Sequence, residues 1–166
     1  MLDPFYPVVP DSSWVLKLVP IGTKLIQLRI KDQPEAEVRR QVREAKAVCT
    51  QHGADLIVND YWQVAIDEGC AWVHLGQEDL GDADVKAIRR ANIKIGVSTH
   101  DHAELDKGMA IAPDYVALGP IWPTKLKQMP WAPQGTGRPA EWKKLVGDRP
   151  LVASGGPLVV TRSLPL

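Results

Sequence analysis

The most constraining feature of the sequence is a strand–helix–strand pattern between residues 56 and 80. Short apolar runs at Leu56–Val58 and Trp72–Leu75 are typical of buried strands. The segment between them has the length of a helix and places Val64, Ala65 and Ile66 on an apolar side. A parallel pair of strands joined by a helix is the repeating unit of α/β proteins, so this stretch predicts that fold class.

Polar residues follow both strands of this unit. Asn59 and Asp60 come after the first strand, and Asp79 follows the second in a Gln-Glu-Asp run. In barrels built from such units the carboxyl ends of the strands carry the chemistry, so we expect Asp60 and Asp79 to share one mouth. Two carboxylates suit a hard cation such as Mg²⁺, shared with a phosphate. An Asn-Asp pair is also a common turn or helix cap, but two such clusters in register favour the functional interpretation.

Composition excludes several function classes. The 166 residues include 20 basic and 20 acidic side chains, so the formal net charge is zero, whereas a nucleic-acid or membrane-surface protein normally has a basic excess. No apolar run is long enough to span a membrane, and Met1–Pro4 lacks the start of a signal peptide. Cys49 and Cys70 lack metal-ligand spacing and are expected to be buried thiols, which predicts a cytoplasmic protein.

A second predicted strand, Leu25–Lys31, alternates between polar and apolar residues. Gln27, Arg29 and Lys31 lie on one of its faces, and a strand of a parallel sheet is normally apolar on both. A half-exposed edge strand is one explanation. The alternative that we favour is an anion site, because the Arg29 guanidinium can bind two phosphate oxygens at once.

Seven strands in all alternate with predicted helices along the chain. Besides the three above, the expected strands are Phe5–Val9, Lys94–His100, Tyr115–Gly119 and Leu151–Ser154, and the expected helix starts lie at Asp11, Pro34, Asp82 and Asp101. This pattern predicts a (β/α)8 TIM-barrel fold, here incomplete. The ten residues after Gly156 are too few for the eighth strand and its helices, so we expect one barrel domain over residues 1–156 and a separate tail over 157–166.

Two late segments are candidates for phosphate binding. The loop Pro120–Pro139 carries Thr124, Lys125 and Lys127, and loops this long in compact domains are usually functional or disordered. Gly155 and Gly156 follow the seventh strand and would let backbone N–H groups approach a phosphate.

Two further polar positions lie on predicted strands. Ser98, near the end of the fifth strand, either contacts a substrate or begins a turn. His74 lies within the fourth strand and is interpreted as a core histidine rather than a ligand.

Several motifs together resemble the thiamine-phosphate synthase (thiamine-phosphate pyrophosphorylase) family. They occur in the family's order and spacing and read Gln-Leu-Arg-Ile-Lys-Asp at 27–32, Asn-Asp at 59–60, His-Leu-Gly-Gln-Glu-Asp at 74–79, Gly-Val-Ser-Thr-His at 96–100 and Gly-Pro-Ile-Trp-Pro-Thr at 119–124. The resemblance covers Phe5 to about Gly156. It implies a transferase of thiamine biosynthesis that joins an aminopyrimidine diphosphate to a thiazole phosphate and releases pyrophosphate.

The resemblance also implies roles for individual residues. Asp60 and Asp79 would hold Mg²⁺. The pyrimidine diphosphate would be bound by Gln27, Arg29, Lys31 and Asn59, with Lys127 on its phosphates and Ser98 near the pyrimidine. Thr124, Gly155 and Gly156 would hold the thiazole phosphate. Catalysis would then rely on Arg29, Lys31, Ser98 and Lys127.

The sequence departs from the family pattern at three places. Leu126 replaces a hydroxyl expected near the thiazole phosphate, Ser154 replaces an apolar residue, and residues 157–166 do not resemble the family's continuation. Two alternatives therefore stay open, a non-catalytic remnant that binds pyrimidine diphosphate and Mg²⁺, and the related thiazole tautomerase. A barrel lacking its eighth strand would leave the first and seventh strands as open edges, which predicts self-association.

Overall fold

The computed structural model describes residues 2–123 and 131–155. The chain forms two compact units, Met1–Val97 and Ser98–Leu166, which are described separately below. Within the described residues there are seven strands, all paired in parallel, and they alternate with helices. The predicted α/β class and the seven predicted strands are therefore confirmed.

The first unit contains most of the regular structure. Its elements are β1 (Val8–Val9), α1 (Ser12–Leu18), β2 (Leu25–Leu28), α2 (Glu35–His52), β3 (Asp55–Asn59), α3 (Trp62–Asp67), β4 (Trp72–Leu75), α4 (Gln77–Asp82), α5 (Val85–Arg90) and β5 (Lys94–Thr99), whose last two residues belong to the second unit. Each strand from β1 to β4 pairs in parallel with the next strand along the chain.

The core of this unit lies on both faces of its central strands. Every residue of β2 and of β4 is buried, as parallel strands covered on both sides require. The predicted apolar stripe of α2 is also buried, at Val38, Val42, Ala45 and Cys49. Burying each large apolar side chain contributes about 1.5–3 kcal/mol before the entropic cost of ordering it, so this layer supplies the main stabilisation.

Helix starts follow the capping chemistry of the sequence, with one correction. Asp11 caps α1 by accepting a hydrogen bond from the Ser13 N–H, as predicted. Asp82 was expected to cap the helix that carries Val85 and Ile88, and this prediction is wrong. Asp82 ends α4, and Asp84 caps α5 by accepting from the Ala87 N–H. The short helix α4 was itself not predicted.

The ends of several strands also differ from the predicted bounds. Leu25–Lys31 was expected as one strand, but β2 ends at Leu28, although the Arg29 N–H still donates to the Val9 carbonyl at 2.8 Å. The first strand is limited to Val8–Val9. The Gln27 N–H also donates to the Pro7 carbonyl, just before β1, but a residue pattern alone does not reveal where the complete ladder of hydrogen bonds ends.

The second unit contains α6 (His102–Ala110), β6 (Tyr115–Leu118), α7 (Arg138–Val146) and β7 (Leu151–Ala153). Asp101 caps α6 by accepting from the Glu104 N–H at 2.8 Å, as predicted. The buried Trp142 indole donates to the Thr99 hydroxyl, which in turn donates to the Ala117 carbonyl, and this chain of bonds attaches α7 to β6 and to the end of β5. Across the described ranges, no helix is long and apolar enough to cross a membrane.

Candidate functional site

The two predicted carboxylates meet at the carboxyl ends of β3 and β4. Asp60 directly follows β3 in a left-handed backbone conformation (φ 65°), which aspartate tolerates better than most residues. Its N–H donates to the His74 carbonyl at 2.9 Å and so continues the pairing of β3 with β4. Asp79 lies in the first turn of α4, immediately after β4. The prediction that these two side chains share one mouth agrees with this placement.

Gly76 makes the approach of the two carboxylates possible. A Cβ atom at this position would lie 3.1 Å from Asp79 Oδ2 and 4.0 Å from Asp60 Oδ1. Both oxygens therefore crowd the same short piece of backbone between β4 and α4. A larger residue at position 76 would press directly on the Asp79 carboxylate.

Lys31 supplies a positive charge to this pair. Its Nζ lies 2.5 Å from Asp60 Oδ2, and the Asp60 side chain is only 12% exposed whereas that of Lys31 is 46% exposed. We call Lys31, Asp60 and Asp79 the carboxylate cluster. It contains two acidic groups and one cation, so full ionisation would leave one negative charge without compensation.

The pKa of Asp79 records this imbalance. Burial, then the negative charge of Asp60 and a hydrogen bond with Asp60, together raise the pKa of the Asp79 carboxyl to about 6, while Lys31 opposes the shift. Neutral pH is therefore close to the pKa of the Asp79 carboxyl, so the cluster can take up a proton there. A divalent cation between the carboxylates would supply the missing positive charge in place of that proton.

The donor set fits a hard, strongly hydrated cation. Within residues 2–123 and 131–155, no group of three or more His, Cys, Asp or Glu side chains is arranged to hold a metal ion. Two carboxylates with room for water and phosphate oxygens are what Mg²⁺ uses in phosphate-transferring sites, and they do not match a structural zinc site. The cluster is therefore compatible with the predicted Mg²⁺.

The polar face of β2 adds groups of another kind. β2 pairs with β1 on one side and with β3 on the other, so the alternative of an edge strand is wrong. Gln27 is 4% exposed and its Nε2 donates to the Tyr6 hydroxyl at 2.6 Å. Arg29 is half-buried two residues further on. The buried amide of Gln27 and the half-buried guanidinium of Arg29 therefore precede Lys31 on the same face of the chain.

Asn59 is buried with an unused donor. It is 5% exposed, and its Nδ2 has no hydrogen-bond partner among the described residues. Gln27 pairs in register with Ile57, so Asn59, two residues further along β3, is on the same face of the sheet as Gln27. A buried amide without a partner is costly unless a ligand satisfies it, which supports the predicted role of Asn59 in binding.

His74 behaves as the predicted core residue. It is 5% exposed, and burial lowers the pKa of its imidazole to about 4, with the Asp60 charge opposing the shift. It is therefore neutral at physiological pH and adds no charge to the neighbouring cluster.

The second unit contains the remaining predicted site residues. Ser98 is half-buried near the end of β5. Gly155 has a φ of 74°, and a Cβ there would lie 2.8 Å from the Pro120 Cβ, so only glycine fits. Its carbonyl accepts a hydrogen bond from the Trp122 N–H. The predicted residues Thr124, Lys127 and Gly156, together with Lys125 and Leu126, lie outside the described residues.

Two features of this region were not predicted from the sequence. The first is Tyr6, whose hydroxyl bonds to Gln27; no residue pattern indicates this contact, because it depends on the pairing of Val8 with Gln27. The second is α4, which places Asp79 on a helix rather than at a strand end. Its sequence, Gln-Glu-Asp-Leu-Gly-Asp, is short and has no side-chain cap at its start, so the usual helix signals are absent.

Comparison with known proteins gives a consistent result. A family model described as thiamine monophosphate synthase matches residues 6–158. A protein from Rhizobium etli named thiamine-phosphate synthase is 61% identical over 155 residues, which are 93% of this chain and 76% of the relative. A protein of the same name from Cronobacter sakazakii is 50% identical over 151 residues, covering 91% of this chain and 72% of the relative.

A solved structure agrees with the sequence comparisons. The chain is similar to thiamine phosphate pyrophosphorylase from Pyrococcus furiosus, with a TM-score of 0.74 and 25% identity, over 91% of this chain and 74% of the other. This likeness confirms the predicted barrel-type α/β fold class.

Proposed function

This chain belongs to the thiamine monophosphate synthase family, and we propose that it joins 4-amino-2-methyl-5-hydroxymethylpyrimidine diphosphate to thiazole phosphate. The predicted activity, a transferase that makes thiamine phosphate, is confirmed by the family match and by relatives named thiamine-phosphate synthase. The two alternatives, a non-catalytic remnant and a thiazole tautomerase, are not favoured by these relatives. The finer assignments below concern the substrates, the metal and the residues.

The main electrostatic requirement of the reaction is to stabilise the negative charge that develops on the leaving group. The bond between the pyrimidine methylene carbon and the diphosphate oxygen breaks, and its electron pair leaves with pyrophosphate. The thiazole nitrogen then donates its lone pair to the methylene carbon and forms the new C–N bond. No proton needs to be removed in either step, so the site has to neutralise developing negative charge rather than supply a general base.

The observation that carries the proposal is the carboxylate cluster next to the polar face of β2. We assign Arg29 and Lys31 to the diphosphate, where the Arg29 guanidinium can bind two oxygens and Lys31 acts as a point charge. Asp60 and Asp79 would hold Mg²⁺, which when bound supplies Lewis-acid stabilisation of the pyrophosphate. The raised pKa of Asp79 supports this, because such a pair gains from a cation between its members.

The remaining roles rest on the family resemblance. Gln27 and Asn59 would contact the pyrimidine diphosphate, and the unpartnered Nδ2 of Asn59 supports its part in this. Ser98 would lie near the pyrimidine, and Lys127 would contact the diphosphate. Thr124, Gly155 and Gly156 would bind the thiazole phosphate, and the glycine requirement at position 155 supports a backbone contact there.

The test is pyrophosphate release from the two substrates, with Mg²⁺ present or removed by chelation. The Asp79→Asn variant should lose Mg²⁺-dependent binding of the pyrimidine diphosphate, measured by calorimetry, while it keeps its fold. Asp82→Asn is the matched control, because Asp82 ends the same helix and is exposed. Equal diphosphate affinity with and without Mg²⁺ would contradict the metal assignment. Absence of pyrophosphate release from the unaltered chain would contradict the turnover.

We further propose that the chain self-associates through β1. Phe5 and Val8 are 57% and 52% exposed, and β1 pairs only with β2 within the described residues. A strand edge next to exposed apolar side chains favours pairing with a second copy. Val8→Lys should then reduce concentration-dependent association in sedimentation experiments; unchanged association would assign it to another surface.

The two buried, unpaired cysteines agree with the predicted cytoplasmic location.

A further inference from the structure

Tyr6 lies in hydrogen-bond contact with Gln27, a predicted substrate-binding residue. Its hydroxyl accepts from Gln27 Nε2 at 2.6 Å. The backbone fixes this geometry, because the Gln27 N–H donates to the Pro7 carbonyl at 2.9 Å and Val8 pairs in register with Gln27. Tyr6 therefore stands next to Gln27 across the β1–β2 pair.

This hydrogen bond holds the Gln27 side chain in place. Gln27 is 4% exposed, and a buried amide needs partners for its polar atoms. Its Nε2 donates to the Tyr6 hydroxyl. Without that hydroxyl the buried amide would lose a bond that fixes its position, and leaving a buried polar group without a partner is costly.

The position of Gln27 separates its role from that of the cations. Arg29 and Lys31 follow it on the same face of the chain and extend toward the carboxylate cluster, where Lys31 binds Asp60. Gln27 lies at the inner end of this row and has no charge. A neutral, buried amide suits the uncharged ring of a substrate, whereas the two cations suit its diphosphate.

We propose that Tyr6 is a positioning residue that acts through Gln27, holding its amide in place to form a hydrogen bond with the aminopyrimidine of the substrate. This inference rests on the function proposed above and deepens it. Tyr6 sets the affinity for the aminopyrimidine and not for the diphosphate. It forms no part of the bond-breaking machinery.

A double-mutant cycle tests the inference. Tyr6→Phe removes only the hydroxyl, Gln27→Met removes the amide at nearly constant length, and the third variant carries both changes. Each is titrated by calorimetry with the pyrimidine diphosphate and, separately, with pyrophosphate, both in the presence of Mg²⁺. Tyr6→Phe should weaken pyrimidine diphosphate binding by about threefold to tenfold, the range for one neutral hydrogen bond, and leave pyrophosphate binding unchanged.

The cycle also distinguishes a failure of this inference from a failure of the proposed function. In the Gln27→Met background, Tyr6→Phe should have no further effect; a full additional loss would overturn the inference, as would equal losses for both ligands. Tyr115→Phe is the control, because Tyr115 is fully buried at the start of β6 and should change neither affinity. No binding of either ligand to the unaltered chain would overturn the proposed function itself.

Discussion

Two regions of the first unit carry the same kinds of charged side chain with opposite consequences. On the outer face of α2 each arginine has a carboxylate partner at 2.8 Å, in the pairs Arg39–Glu35, Arg40–Glu37 and Arg43–Glu68. In the carboxylate cluster two acidic groups share one lysine. Both arrangements hold more carboxylates than cations, because Arg39 also contacts Asp67 and Arg40 also contacts Glu44. They differ in that each of these carboxylates on α2 contacts a guanidinium, whereas the Asp79 carboxyl lies next to a second acid, Asp60.

The pKa values show the difference directly. Hydrogen bonds from Arg40 and then from Gln41 lower the pKa of the Glu37 carboxyl to about 2. Burial and the neighbouring Asp60 raise the pKa of the Asp79 carboxyl to about 6. Because both groups are carboxyls, their neighbours and their burial decide the outcome. Glu37 accepts hydrogen bonds from Arg40 and Gln41, whereas Asp79 is partly buried beside a second carboxylate. A carboxylate held by hydrogen-bond donors stabilises a surface, whereas one held beside another carboxylate can bind a cation.

The largest expected difference between the two regions is in turnover. Lys31→Ala should lower the rate of pyrophosphate release about a hundredfold or more, the usual cost of removing one group that stabilises developing charge. Arg43→Ala should change the rate by less than about twofold, because Arg43 lies on the outer face of α2 and pairs with Glu68, which follows α3 and belongs to no predicted site. Single-turnover kinetics with saturating Mg²⁺ measure both.

The same two variants should differ little in stability. In both pairs the cation is the more exposed partner, and the carboxylates are similarly buried, Asp60 at 12% and Glu68 at 13% exposed, so the two substitutions should have similar effects on the unfolding free energy. Similar melting temperatures with very different rates would support a functional cluster. A large fall in the melting temperature of Lys31→Ala would instead indicate that Lys31 is structural.

This comparison also explains what the sequence could predict. Asp60 was predictable, because it follows an unambiguous apolar strand and the end of a parallel strand is a defined place. The α2 stripe was equally predictable from its periodicity. Both depend on local pattern, and both placements agree with the structure.

The details that depend on tertiary contacts were not predictable. Nothing near Asp79 in the sequence indicates that it belongs to a helix, or that Gly76 leaves space for it beside Asp60. The bond from Gln27 to Tyr6 crosses 21 residues and depends on the register of β1 with β2. Such contacts are set by strand pairing, which a single sequence does not specify.

A smaller effect is expected at Arg29, which tests whether the polar face of β2 belongs with the cluster. Arg29→Ala should weaken Mg²⁺-dependent diphosphate binding by about 1.5–3 kcal/mol, the value of one charge-assisted hydrogen bond. Arg29→Lys should restore only part of this, because an ammonium cannot bind two oxygens in the planar geometry of a guanidinium. Calorimetric titration gives both values. Unchanged affinity in Arg29→Ala would mean that the polar residues of β2 have a structural role. They would then not belong to the same binding site as the carboxylate cluster.

The smallest expected effect is a change in stability with pH, and it has opposite signs in the two regions. An Asp whose folded pKa, about 6, exceeds its unfolded value of about 3.9 binds a proton in the folded state first, so unfolding free energy rises as pH falls through 6. Ionised Asp79 therefore destabilises the metal-free protein at neutral pH. Glu37 behaves in the opposite way, because its lowered pKa stabilises the fold above about pH 4.5 and this stabilisation is lost as pH falls toward 2.

Two isosteric variants measure this contrast without Mg²⁺. At about pH 7.5, Asp79→Asn should melt at a higher temperature than the unaltered chain, because the amide mimics the protonated carboxyl. At about pH 5 the difference should be roughly half as large, and it should disappear only below about pH 3.9, where Asp79 is protonated in both the folded and the unfolded chain. Glu37→Gln should melt slightly lower at both pH values, because Glu37 is ionised at both. His74 is present in every variant, so its own titration cancels from each difference. Adding Mg²⁺ at pH 7.5 should remove the advantage of Asp79→Asn, since the cation then compensates the two carboxylates; an advantage that persisted in Mg²⁺ would mean that Asp79 holds no metal.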